Sequence, residues 1–138
     1  MTIDRQSRRS VLIGIVGGVC ATTLLPGCAT ENSKGQEAIE SILKLLRHQG
    51  VAAHLGRLEV EANPELQSLT LEQLGADLLS AIGLDIDNIT DNQIDTIHER
   101  LSIKIRQDFS DEAITTVDGW LLSATEAKAC ALVYLKIT

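Results

Sequence analysis

Aromatic residues are scarce: one Phe, one Trp and one Tyr occur in 138 positions. Single-stranded nucleic acid is bound on stacked aromatic platforms, and three rings do not build one. Cations are in deficit too, with 12 Lys and Arg against 19 Asp and Glu. A net charge of −7 repels a phosphate backbone, so the sequence predicts no nucleic-acid partner. Two prolines and ten glycines leave no Pro-rich, Gly/Ser-rich or collagen-like tract, and no unit repeats at a fixed period. Apolar residues, by contrast, are plentiful. At 44% hydrophobic, 22% charged and a mean hydropathy of +0.10, the chain is neither a disordered acidic polymer nor a multi-span membrane protein. Its length allows one small domain.

The first thirty residues have their own charge pattern. Arg5, Arg8 and Arg9 stand against a single acid, Asp4, and no charge follows from Ser10 to Thr30. A basic start followed by an apolar run is the pattern of an export signal. The run from Val11 to Leu25 is 15 residues long, short of the ~20 that a spanning helix needs, and three glycines and two threonines dilute it. Counted generously to Thr30, the uncharged stretch reaches 21 residues, so an uncleaved membrane helix stays open as the alternative.

Two motifs refine the address. Ser7-Arg8-Arg9-Ser10-Val11-Leu12 resembles the twin-arginine (Tat) export signature, the alternative being an ordinary Sec signal with adjacent arginines. Leu25-Pro26-Gly27-Cys28 resembles the lipobox of bacterial lipoproteins, with Pro26 standing where a small residue is usual. That resemblance implies cleavage before Cys28, a diacylglyceryl thioether on its sulfur and a further acyl chain on the new amino terminus. Each buried CH₂ contributes about 0.8 kcal/mol, so several chains hold a protein on a bilayer almost irreversibly. Ala29 after the cysteine lacks the Asp that favours inner-membrane retention in such proteins, which tilts the expectation to the outer membrane. The expected organisation is therefore a leader over 1–27, a lipidated tether over 28–35 and one domain over 36–138.

Cleavage leaves 111 residues with a net charge of −9. Cys20 departs with the leader and Cys28 carries lipid, so Cys130 is left without a disulfide partner.

The mature chain reads as an all-α bundle of four to five short helices with one short β-hairpin or extended loop before the last. Ile39, Ile42, Leu43 and Leu46 share a helical face from Gln36, with Gly50 placed to cap it; Val51 to Ala62 forms a second helix stopped by Asn63-Pro64. Thr70-Leu-Glu-Gln73, Thr90-Asp-Asn-Gln93 and Ser123-Ala-Thr-Glu126 are capping boxes that start helices over 71–82, 91–109 and 124–136. Between the last two lies Ile114-Thr-Thr-Val-Asp118-Gly119-Trp-Leu-Leu122, β-branched residues around an Asp-Gly turn.

Candidate chemistry is sparse. His48, His54 and His98 lack metal-ligand spacing and read as exposed helix-end residues. An EF-hand count from Asp85 puts Ile89 at a ligand position, Thr90 where glycine is needed and Thr96 where a bidentate Glu is needed. Helix N-terminal positions account for Asp91 and Asp95 more simply. Cys130, flanked by alanines in a helix, reads as an inert core thiol. No GxSxG, P-loop or GxGxxG occurs outside the leader. No catalytic residue, metal or cofactor is expected. The lone Trp120 reads first as a core plug; exposed, it would mark a partner surface.

The tail from Val117 to Ala127, behind a leader with paired arginines, resembles small Tat-exported subunits found with membrane-associated flavoprotein dehydrogenases. The resemblance implies a subunit without cofactor, travelling bound to a folded catalytic partner, and it favours the inner membrane, against the slight tilt to the outer one that Ala29 gives. It carries over Trp120, Ser123 and Glu126 as structural or partner-contacting positions. The sequence thus predicts a non-catalytic accessory subunit, lipid-anchored on the periplasmic face of a bacterial envelope membrane, with an exported redox enzyme as partner. The alternative is a freestanding structural envelope lipoprotein.

Overall fold

A computed structural model of the chain describes the backbone of residues 21–138 and the side chains of residues 33–138. These residues are predominantly α-helical, in the order α1 (Ala21–Leu45), α2 (Gln49–Ala62), α3 (Pro64–Gln67), α4 (Leu71–Ala81), α5 (Asp91–Ile94), α6 (Ile97–Ser110), β1 (Ile114–Val117), β2 (Trp120–Ser123) and α7 (Ala124–Ile137). The two extra helices, α3 and α5, are single turns of four residues. Helices α2, α4 and α7 occupy the places that periodicity and caps predict, α5 and α6 divide the span predicted over 91–109, α1 begins before Gln36, and the hairpin stands immediately before the last helix.

The caps explain the boundaries. Thr70, Thr90 and Ser123 each accept a hydrogen bond from the backbone N–H three residues on, and Gln73, Gln93 and Glu126 each reach back to the cap's own N–H. Two orphan donors are satisfied at each helix start. At the far end of α4, Gly83 takes φ +81°, and the N–H groups of Gly83 and Leu84 donate to Ser80 and Leu79, the paired bonds of a Schellman stop. Pro64 stops α2 and opens α3, where Asn63 accepts from the Glu65 N–H at 3.1 Å.

Residues Lys34–Thr138 form one compact unit. Its core draws Ile39 and Ile42 from α1, Leu74, Leu78 and Leu79 from α4, Ile97 and Leu101 from α6, and Leu132 and Val133 from α7. Helix α7 is central: Ala127 and every residue from Ala129 to Val133 are buried. Small side chains let neighbours approach it from more than one side. The closest approach is to α2, where a Cβ on Gly56 would sit 2.0 Å from the Cys130 carbonyl oxygen.

Two local expectations are corrected. Gly50 does not cap the first helix; it lies in the first turn of α2. The α1 end is instead satisfied by Gln49, whose amide donates to Leu43 O at 2.8 Å and Leu46 O at 2.5 Å. The predicted 91–109 helix is broken at Asp95-Thr96. There the Thr96 N–H and hydroxyl both turn back to Gln93 O, at 3.0 and 2.7 Å, while Arg100 N–H takes the Thr96 carbonyl and begins α6. A hydroxyl bonding three residues back competes with the α-helical ladder, and periodicity does not register it. Asp95 consequently ends α5 rather than standing in a helical first turn. The backbone of residues 28–35 continues α1. Ala29, Glu31 and Lys34 are good helix formers, and no proline interrupts them.

Candidate interaction surface

The hairpin that joins α6 to α7 is built on a two-residue turn. Asp118 and Gly119 take φ +50° and +79°, the left-handed pair that a type I′ turn requires and Asp-Gly tolerates. Val117 pairs with Trp120, Thr116 with Leu121, Thr115 with Leu122 and Ile114 with Ser123. Paired residues share a face, so Thr115, Val117, Trp120 and Leu122 point one way and Ile114, Thr116, Leu121 and Ser123 the other. On the first face Val117 is buried, but Trp120 is 59% exposed. On the second, Ile114 is 42% and Leu121 56% exposed. The core-plug reading of Trp120 is thereby corrected. It sits beside the turn, beyond the helices that cover Val117, and the ribbon tip is apolar on both sides.

The ribbon's base is firmly held. Asp108, 1% exposed on α6, accepts the Thr125 N–H at 2.9 Å and its hydroxyl at 2.6 Å through Oδ2, and Lys104 Nζ at 2.5 Å through Oδ1. Burial pushes its carboxyl pKa up, but Lys104 and the two Thr125 donors outweigh it and hold the pKa below the usual carboxylate value. This network pins the start of α7 to α6 across the hairpin. Ser123 and Glu126 close the capping box at the same place, with the Ser123 side chain buried. Their polar groups are therefore committed to the cap, and of the three residues singled out in the tail only Trp120 offers a free side chain. At the turn, Asp118 Oδ2 lies 3.2 Å from Nε2 of His54 on α2.

The sequence reading missed Asp108, Leu121 and Ile114. A Lys104/Asp108 pair at helical i, i+4 spacing was the available signal for the first, and strand alternation around Asp-Gly for the others. Arg8 and Arg9 lie outside the described residues, and so do the side chains of Leu25, Gly27 and Cys28.

Elsewhere the polar groups are occupied. His98 Nε2 donates to Ser41 O at 2.6 Å, tying α6 to α1. His48 is exposed before α2, so the three histidines do not converge. Among the described residues no group of three or more His, Cys, Asp or Glu is placed to hold a metal ion. Asp85 accepts from Asn88 and from the Asp87 N–H, which hold its carboxyl below the usual range. A shallow groove of about 300 Å³ between α4 and α6 is lined by Arg100 and Lys104. Arg100 is already bonded to Ile82 O and Thr96 Oγ1, and Lys104 to Asp108. Burial, then the negative charges of Glu126 and Glu59, push the Cys130 thiol up to about 11. At neutral pH it is a thiol and a poor nucleophile. Among the described residues no helix is long and apolar enough to cross a membrane.

Comparison with protein-family models, with curated proteins and with solved structures found no match.

Proposed function

We propose that this chain is an exported bacterial lipoprotein, held on the periplasmic face of a membrane through acyl chains on Cys28, that serves as a non-catalytic accessory subunit of an oxidoreductase complex. The observation that carries the accessory role is the exposure of Trp120 at the hairpin tip. A chain with only three aromatic residues has few large rings for its core, and this one leaves its single Trp more than half exposed to water. Covering its exposed part on a partner would contribute about 3 kcal/mol at ~25 cal/mol per Å². The Arg8-Arg9 leader supports export with a folded partner, and the lipobox ending at Cys28 supports the anchor. The likeness of the tail to small dehydrogenase-associated subunits supplies the partner's class.

The test is a mild-detergent pull-down of the C-terminally tagged lipoprotein from its own cells. Recovery of a flavin-containing enzyme at near one-to-one stoichiometry, lost when Trp120 becomes Ala while the helical spectrum persists, is the expected result. A clean monomer at native abundance points to the freestanding structural lipoprotein instead. Finding a large dehydrogenase encoded beside this chain would add independent support.

A further inference from the structure

We infer that the hairpin acts as a two-faced wedge, entering a cleft on a partner protein whose walls are apolar and whose rim is basic. This rests on the interaction-subunit reading and specifies how the contact is made. The first ground is geometric. Near the turn, Trp120 is exposed on one face of the ribbon, and Leu121 with Thr116 on the other. A flat surface can cover only one face of a two-stranded ribbon, so burying both Trp120 and Leu121 takes two opposed walls.

The second ground is electrostatic. From Gln107 to Ala127 the chain carries five carboxylates, Asp108, Asp111, Glu112, Asp118 and Glu126, and no Lys or Arg. Asp108 and Glu126 are consumed by Lys104 and the α7 cap, whereas Asp111 and Glu112 are exposed beside the ribbon and Asp118, exposed at its turn, faces the His54 imidazole at 3.2 Å. Residues 34–138 as a whole carry 17 acids against 9 Lys and Arg. A second copy of this chain would bring a matching excess of negative charge to the contact. A bilayer fits poorly as well, because tip-first insertion buries Asp118 deepest and anionic headgroups repel the acids beside the ribbon. A basic rim meets these charges, speeds encounter and leaves the apolar tip to supply affinity.

The experiment places a photoreactive benzophenylalanine at position 120, and separately at 121, in the full-length lipoprotein in its native membrane. Arg47, exposed on the α1–α2 turn, is the control position. Expected are cross-links from 120 and 121 to the same protein but to different peptides of it, with none from 47. Asp118→Asn, which keeps a residue tolerant of positive φ, should lower both yields about three- to tenfold, as should raised salt. Cross-linking from one position only would show one-faced docking and overturn the wedge while leaving the accessory reading in place. Cross-links to lipid or to a second copy overturn the inference outright. If the dehydrogenase co-purifies yet neither position cross-links, the hairpin is not its contact. If nothing co-purifies and nothing cross-links, both readings fall.

Discussion

Asp108 joins α6 to α7 through one carboxylate. Its side chain is almost fully covered, and each of its oxygens accepts from a group that has no other bond of comparable quality. Asp108→Asn places an amide in this network and weakens the Lys104 contact; a loss of about 2–3 kcal/mol is expected, read by urea unfolding monitored by circular dichroism. The sign with pH follows from the direction of its shift. The folded carboxyl titrates below its unfolded value of about 3.9, so the folded state binds its proton more weakly than the unfolded chain does. The Asp108 contribution is therefore complete above that unfolded value and fades as pH falls through the lower, folded one. Below about pH 4 the wild type should lose stability more steeply than Asp108→Asn. Cys130 gives a second prediction at this scale. With its thiol pushed up to about 11 and buried in α7, alkylation by iodoacetamide at pH 8 should spare it in the native protein and label it after denaturation. Peptide mapping distinguishes it from Cys20 and Cys28.

At the scale of elements, the α2–α7 contact decides how tightly the unit closes. Gly56 is the point at which α2 meets the α7 backbone: an added Cβ would lie 2.0 Å from Cys130 O and 2.8 Å from Ala131 N. Neither atom can swing away as a side chain would. Gly56→Ala, ordinarily helix-stabilising, is expected to cost about 3 kcal/mol or more, lowering the thermal midpoint by more than about 10 °C. Gly75 is a useful contrast, since its added Cβ meets Cγ1 and Cδ1 of the Ile39 side chain at 2.7 and 2.8 Å. A side chain can change rotamer, so Gly75→Ala should cost clearly less in the same thermal scan. The hairpin gains its stability from neighbours too. Four-residue strands are marginal alone, and here the network beneath Ser123 and the burial of Val117 hold them.

At the scale of the whole molecule, the lipid anchor and the wedge are separable claims. Intact-mass spectrometry of membrane-extracted protein should give a chain beginning at Cys28 and carrying diacylglycerol and a further acyl group. A retained leader or an unmodified Cys28 would remove the anchor without touching the hairpin. Conversely, Trp120→Ala should leave that mass shift and the thermal midpoint nearly unchanged, because an exposed side chain contributes little to the folded state. Together the two measurements assign membrane attachment and partner attachment to opposite ends of the sequence.

Local chemistry made much of this protein readable from residues alone. Capping boxes at Thr70, Thr90 and Ser123, the Asn63-Pro64 break, the Schellman glycine at 83 and the Asp118-Gly119 turn all act within a few residues, so their outcome is written in short stretches of chain. The splitting of the 91–109 helix at Thr96 escaped because a continuous Ile and Leu stripe persists across a break that a single hydroxyl creates. Other outcomes depended on what distant segments cover. Asp108 became a buried clasp only because α7 brings Thr125 to it from 17 residues away, and Gly56 mattered only because Cys130 passes beside it. Trp120 had the composition of a core residue, and its pairing with Val117 follows from the turn. Whether it faced the core or water was settled by where the helices end relative to the ribbon tip, a property of tertiary packing that no local pattern encodes.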